Sequence, residues 1–247
     1  MRPYLSIFGL LLPSYGVLCA SGVVCALVVS LLRARRFHLR MDASLVLFTG
    51  ALTCGIIGAL VTYALVTFGV SGLVHMAVHG TLREEFHFGF VFYGGFAAGL
   101  LGAYGLAKGF RLSLAEYSRA FIPALPLAHA LGRVGCFLAG CCYGKIAGAL
   151  AGVRYPPESG LGLEPRIPVQ LMEAVYLLAL FLILVRYANR NPRGALSLYI
   201  LLYAPARFLL EFLRGDAIRG ILWGLSTSQW ISLFLFVGVL LIRGRKK

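Results

Sequence analysis

Long apolar runs separated by short polar and basic stretches dominate the chain. A membrane crossing needs about 20 apolar residues in a helix, because backbone polar groups facing lipid must pair within their own segment. Seven segments meet that requirement, near Tyr4 to Leu32, Ala43 to Val70, Phe88 to Ala107, Ala120 to Cys142, Val169 to Val185, Ala195 to Leu213 and Ser226 to Ile242. The pattern predicts an all-α polytopic membrane protein, with residues 1–247 as one transmembrane domain. The longest connection, Tyr143 to Pro168, carries Pro156, Pro157, Pro165 and Pro168 with several glycines and reads as a loop. Met1 to Leu32 exceeds a signal-peptide core and has its basic cluster behind it, so it reads as a retained first helix.

Composition agrees with this partition. Hydrophobic residues make up 60% of the 247 and charged residues 13%, with a mean hydropathy of +0.85, well outside the soluble range. The net charge of +14 would suit nucleic acid if it formed a patch, but it is divided among the connections, so nucleic acid is not expected. One set of alternate connections holds fourteen basic residues: Arg33, Arg35, Arg36 and Arg40; Lys108, Arg111 and Arg119; Arg186, Arg190 and Arg193; Arg243, Arg245, Lys246 and Lys247. The other holds seven: Arg2, Arg83, Lys145, Arg154, Arg166, Arg214 and Arg219. Positive charge is retained on the cytoplasmic side. The N-terminus is therefore expected outside, the C-terminus in the cytoplasm, and the 143–168 loop outside.

Two arginines lie inside apolar segments, where each charge costs about 2.5 kcal/mol or more on insertion scales. Arg133 follows Gly132, and Arg207 stands one turn before Glu211. Tyr203, Arg207, Glu211 and Arg214 share a helical face at spacings of 4, 4 and 3, and Arg207 and Glu211 can pair. One carboxylate does not neutralise both arginines, so a surplus of positive charge is expected, suited to an anionic group such as phosphate. His129, Arg133, Cys136 and Gly140 form a second stripe, and the glycines around it permit close approach of a helix or a lipid. Gln170 and Glu173 open the fifth segment, either orienting a headgroup or forming an interfacial polar turn.

Of six cysteines, Cys19, Cys25 and Cys54 sit singly in apolar segments, while Cys136, Cys141 and Cys142 cluster. The cluster admits a nucleophile, a disulfide, a metal site or plain burial. Metal ranks last because no four-ligand spacing is present, and no metal or cofactor is expected. His75, His79 and His87 offer no ligand spacing and read as loop histidines.

Taken in order, several stretches resemble the bacterial prolipoprotein diacylglyceryl transferases. They are Tyr15-Gly16, Tyr93-Gly94-Gly95, Gly132-Arg133 through Cys141, Cys142 and Gly144, Pro168 through Glu173, Tyr203-Ala204-Pro205-Ala206-Arg207 with Glu211, and Ser228-Gln229. The Gly140-Cys141-Cys142-Tyr143-Gly144 form resembles a divergent branch of that family. The resemblance implies transfer of diacylglycerol from phosphatidylglycerol to the lipobox cysteine of a lipoprotein precursor, with release of glycerol phosphate, in the bacterial cytoplasmic membrane. It implies membrane lipids as surroundings and Arg133, Arg207, Glu211, Tyr93 and His129 as catalytic positions. Tyr15, Tyr203, Gly94, Gly95, Cys136, Cys141, Gly144, Gln170 and Glu173 are the implied substrate-binding positions. The chain departs from the family pattern at Tyr93, where a histidine is usual, at Leu60, where an arginine is, and at Cys136 and Cys141, in place of asparagine and glutamate. Other readings are a same-fold transferase with a different acceptor, an enzyme whose own cysteine is the nucleophile, and a transporter or scaffold. Transporters of the last kind carry repeated halves, and no repeat is evident.

Overall fold

A computed structural model describes residues 2–7, 9–79, 91–148, 152–156, 162, 164–216 and 220–244. Its helices are α1 (Ser14–Arg36), α2 (Met41–His79), α3 (Phe92–Gly109), α4 (Leu114–Phe121), α5 (Ala124–Ala139), α6 (Val169–Arg190), α7 (Ala195–Glu211) and α8 (Thr227–Gly244). Among the described residues, five spans are long and apolar enough to cross a membrane: α1, α2, α4 and α5 taken together as Leu114–Ala139, α6 and α8. The remaining two predicted segments fall on α3 and α7. Outward-facing valines, leucines and phenylalanines such as Val66, Val175, Leu209 and Phe234 are largely exposed, an arrangement that lipid satisfies and water does not. The chain is a polytopic membrane protein built on helices.

The first predicted segment is only partly helical. Tyr4–Ile7 (β1) and Leu10–Pro13 (β2) form an antiparallel hairpin before α1. Gly9 turns it at φ 81°, and Pro13 cannot donate a backbone bond to a preceding helical turn, so α1 starts behind it. Ser14 then anchors to the Pro3 carbonyl through both its backbone N–H and its hydroxyl. The fourth segment is also divided, with Ile122 and Pro123 interrupting it between α4 and α5. Within α2, Gly69 leaves helical geometry at φ 65°, ψ 172°. His75 and His79 lie in the last stretch of α2 with stacked rings, and His87 is outside the described residues.

Contacts gather into two compact units, Met1–Arg33 with Ser118–Lys247, and Ala34–Tyr117. In the second unit α2 packs on α3 through small residues. A side chain at Gly94 would strike Thr62, and one at Gly95 would come within 2.9 Å of the Gly55 carbonyl. Both glycines serve close helix packing.

In the first unit α5, α6, α7 and α8 pack in chain order. The buried positions of α6, namely Val169, Gln170, Glu173, Ala174, Leu177, Leu180, Leu184 and Ala188, follow the helical repeat along one stripe. Its lower part is aliphatic, and Ala130, Ala174 and Leu177 make a small core with Val134 and Tyr203 against it. Its first turns carry the polar pair. α1 approaches α5 at glycines: a Cβ on Gly22 would lie 2.9 Å from the Ala128 carbonyl, and one on Gly135 would lie 3.2 Å from the Tyr15 backbone. At the other end of α1, buried Arg33 donates to the Arg119 carbonyl at 2.7 and 3.1 Å and to the Val185 carbonyl at 3.4 Å. One of the charges that mark topology is thus also a clasp between helices.

Two short strands, β3 (Ile221–Leu222) and β4 (Leu225–Ser226), lead into α8. Ser226 and Gln229 close the start of α8 reciprocally. The Ser226 N–H donates to Gln229 Oε1 at 2.9 Å and the Gln229 N–H to Ser226 Oγ at 3.3 Å, which satisfies donors that a helix start leaves open.

Candidate active site

The polar residues of α5, α6 and α7 meet immediately beside the aliphatic core. Glu173, 1% exposed, is their hub. Its Oε2 lies 3.0 Å from Arg133 Nε on α5, and its Oε1 accepts a bond of 2.7 Å from the Tyr203 hydroxyl on α7. His129 Nε2 lies 3.8 Å from the same Oε1, with its ring edge-on to Tyr203 at 5.4 Å. Tyr199 stacks on Tyr203 at 5.5 Å. Glu173 comes nearest the Arg133 guanidinium at Nε, and among the described residues no hydrogen bond is made by its two terminal nitrogens.

One turn along α7, Arg207 Nη1 pairs with Glu211 Oε2 at 2.7 Å, and its Nη2 donates to Ser228 Oγ on α8 at 3.4 Å. Gln229 Nε2 holds the Phe208 carbonyl at 3.4 Å, which ties α8 to the same turn. Beyond the helix end, Arg214 lies 4.0 Å from Glu211 and grips Asp216 with two bonds of 3.0 and 2.7 Å. Burial holds the Asp216 carboxyl above the usual carboxylate range despite that cation. A cleft of ≈ 260 Å³ opens here, lined by Lys145, Glu211, Arg214, Asp216, Ser226 and Gln229 among others.

The surplus charge expected from the sequence is not what the geometry contains. Arg133 has its own carboxylate in Glu173, and Arg207 has Glu211. Glu173 stands five residues after Pro168, a position that in sequence reads as interfacial, yet the packing of α5 and α7 over it leaves it nearly solvent-free. What suits the site to an anion is the unused edge of Arg133 rather than net charge.

Gln170 faces the protein. Its Nε2 donates 2.6 Å to the Cys141 carbonyl, and the side chain also bonds buried Tyr155. Cys141 and Cys142, expected at the end of a helix, lie past it: α5 ends at Ala139, and Gly140 caps it at φ 73°, ψ 21°. Gly144 is where the following strand-like segment touches two others. It bonds the Ile167 carbonyl at 3.0 Å and pairs with Arg214. A Cβ there would lie 2.5 Å from the Ile167 oxygen and 2.8 Å from Val169. Gly144→Ala is expected to cost about 1–3 kcal/mol through overpacking and to lower the midpoint of thermal unfolding in detergent. Gly148→Ala, where no atom lies within 4 Å, should leave it unchanged.

The first unit therefore contains Tyr15, His129, Arg133, Cys136, Cys141, Gly144, Gln170, Glu173, Tyr203, Arg207 and Glu211, whereas Tyr93, Gly94 and Gly95 belong to the second. Tyr155 and Asp216 are partners that no pattern in the sequence singled out. Arg214 was visible, as the last member of the stripe that begins at Tyr203.

The family model for prolipoprotein diacylglyceryl transferase matches residues 3–243. A protein of Clostridium perfringens named phosphatidylglycerol–prolipoprotein diacylglyceryl transferase 2 is 33% identical, over 98% of this chain and 96% of its own length. Proteins named phosphatidylglycerol–prolipoprotein diacylglyceryl transferase from Clostridium tetani and Clostridioides difficile are 32% and 27% identical, each over 96% of this chain and over 94% and 92% of their own lengths. With a buried arginine–carboxylate network on three packed helices and a family match over nearly its whole length, the chain belongs to the prolipoprotein diacylglyceryl transferase family.

Proposed function

We propose that this protein transfers the diacylglyceryl group of phosphatidylglycerol to the cysteine thiol of a lipoprotein precursor, at its lipobox, and releases glycerol phosphate. The supporting observation is the Arg133–Glu173–Tyr203 network beside Arg207–Glu211, buried within membrane helices. Buried ionisable groups in such helices mark function by default.

The reaction forms a carbon–sulfur bond at the glycerol carbon that carries the phosphodiester and breaks that carbon–oxygen bond. The electron pair leaves with the phosphate, whose charge grows from one toward two as the bond opens. Arg133 presents its two terminal nitrogens to that phosphate and Arg207 supports the developing charge, so both act more strongly in the transition state than in the ground state. Glu173 and Tyr203 are positioning residues. The carboxylate fixes the guanidinium by its Nε edge, and the phenol fixes the carboxylate. Glu211 does the same for Arg207. His129 takes the thiol proton, and Glu173, 3.8 Å away, stabilises the imidazolium formed. Tyr93 enters only through the resemblance, at the position where the family carries histidine. An enzyme cysteine as acceptor would stop at an unreactive thioether, which favours the external thiol.

The site sits toward the outer leaflet of the bacterial cytoplasmic membrane, with the N-terminus outside and the C-terminus in the cytoplasm. That orientation follows the bias of basic residues among the connections. The test is reconstitution of purified protein with phosphatidylglycerol and a lipobox peptide. The expected products are a thioether-linked diacylglyceryl peptide and glycerol phosphate in equal amounts. Absence of both with folded, lipid-loaded protein overturns the reading, and a lipid covalently attached to the enzyme would move the acceptor to one of its own cysteines.

A further inference from the structure

The transfer chemistry leaves Cys136, Cys141 and Cys142 unused. Cys136 is buried in the last turn of α5, Cys142 is half-buried and Cys141 is exposed. Sequence spacing alone does not bring them together, because adjacent residues on a continuing helix point about 100° apart. The backbone does it instead. Gly140 is left-handed at φ 73° and Cys142 is left-handed at φ 59°, so the chain doubles back within three residues and returns two thiols to the third. All three Sγ atoms lie within 4.8 Å of one another.

Cys142 holds a conformation that a residue with a Cβ adopts only at some cost, and such conformations persist where the surroundings impose them. Those surroundings are present. Buried Gln170 clamps the Cys141 carbonyl at 2.6 Å and is itself held by Tyr155, while Gly144 is pinned to Ile167 directly downstream. Cys141 Sγ also reaches the Cys136 carbonyl at 3.6 Å.

A disulfide would use two of these sulfurs and leave the convergence of the third unexplained. A thiophilic cation uses all three. Zinc–sulfur bonds of about 2.3 Å put the sulfurs of one tetrahedral site about 3.8 Å apart, so side-chain rotation from the observed spacing suffices. Three thiolates and one divalent cation carry a net charge of minus one.

We propose that Cys136, Cys141 and Cys142 form a three-thiolate binding site for a thiophilic divalent cation of the zinc class. Coordination releases one proton per thiol, three in all, and forms three metal–sulfur bonds. Three protein ligands leave one tetrahedral position, on the exposed side at Cys141. That is the arrangement of a site that accepts an outside ligand, in contrast to a closed structural site. Nothing in this assignment depends on the transferase reading.

The test uses full-length protein in detergent, reduced and stripped with a chelator, then titrated with cadmium as a spectroscopically visible stand-in for zinc. The expected result is a thiolate-to-cadmium charge-transfer band that saturates at one equivalent, with three of the six thiols protected from alkylation. C141S and C142S should each weaken binding at least about 100-fold, beyond the range seen for lost supporting contacts. C136S should do the same, and C142S carries the test if the buried C136S variant does not fold. The combined Cys19→Ser, Cys25→Ser and Cys54→Ser variant should bind as the parent does. Absence of a saturating band, or a band unchanged in both C141S and C142S, overturns the proposal. So does protection of only two thiols, which would leave the third sulfur outside the site.

Discussion

Arg133→Gln is expected to lower the rate of diacylglyceryl transfer about 100- to 1,000-fold, the loss seen when one preorganised donor to a developing anion is removed. Glutamine keeps a donor near Glu173 but loses the charge and the paired terminal nitrogens that would meet the phosphate. The substitution also strands Glu173, 1% exposed and 3.0 Å from Arg133, and the uncompensated buried charge adds a loss of its own. Pairing it with Glu173→Gln separates the two effects. The double variant restores charge balance, so its thermal midpoint should return toward the parent value while transfer stays low. Activity that recovered with stability would assign Arg133 to the fold alone. A phosphate-binding role further predicts that Arg133→Lys keeps more activity than Arg133→Gln without matching the parent, because an ammonium offers charge without the two-pronged geometry.

The Arg207–Glu211 pair carries the second large effect. Arg207→Met should destabilise the protein by about 3–5 kcal/mol, the usual result of removing one partner of a buried ion pair. The two groups are 2.7 Å apart and nearly solvent-free. Arg207→Met with Glu211→Leu should recover most of that stability, since apolar replacement of both partners removes the desolvation cost along with the attraction. Transfer should remain abolished in the double variant. A double-mutant cycle on unfolding in detergent measures the coupling. A coupling below about 0.5 kcal/mol, the usual limit of additivity, would show that Arg214, 4.0 Å from Glu211, takes over the carboxylate when Arg207 is gone.

Both predictions concern charges that the one-dimensional pattern exposes with little ambiguity, since an arginine amid apolar residues is costly wherever the helix ends. The partner of Arg133 was less legible. Glu173 stands forty residues downstream and five after Pro168, at a position that in sequence looks interfacial. Its pairing depends on α6 docking its buried stripe between α5 and α7. Spacing rules reach across one or two helical turns, so they found Arg207 with Glu211 and missed Arg133 with Glu173. The same limit explains Gln170, whose bond to the Cys141 carbonyl crosses twenty-nine residues.

By itself the sequence determined the membrane environment, the helical class and the stripes on which Arg133, Arg207 and Glu211 lie, because apolar length and a helical repeat of 3.6 are local properties. Pro13 broke the first segment and Pro123 the fourth, and both breaks are readable in retrospect from a residue that cannot donate to the turn before it. The tertiary structure alone decided that Glu173 neutralises Arg133, and that three thiols meet. Those outcomes depend on helix docking and on two left-handed residues, Gly140 and Cys142, the second next to a carbonyl that Gln170 holds from far along the chain.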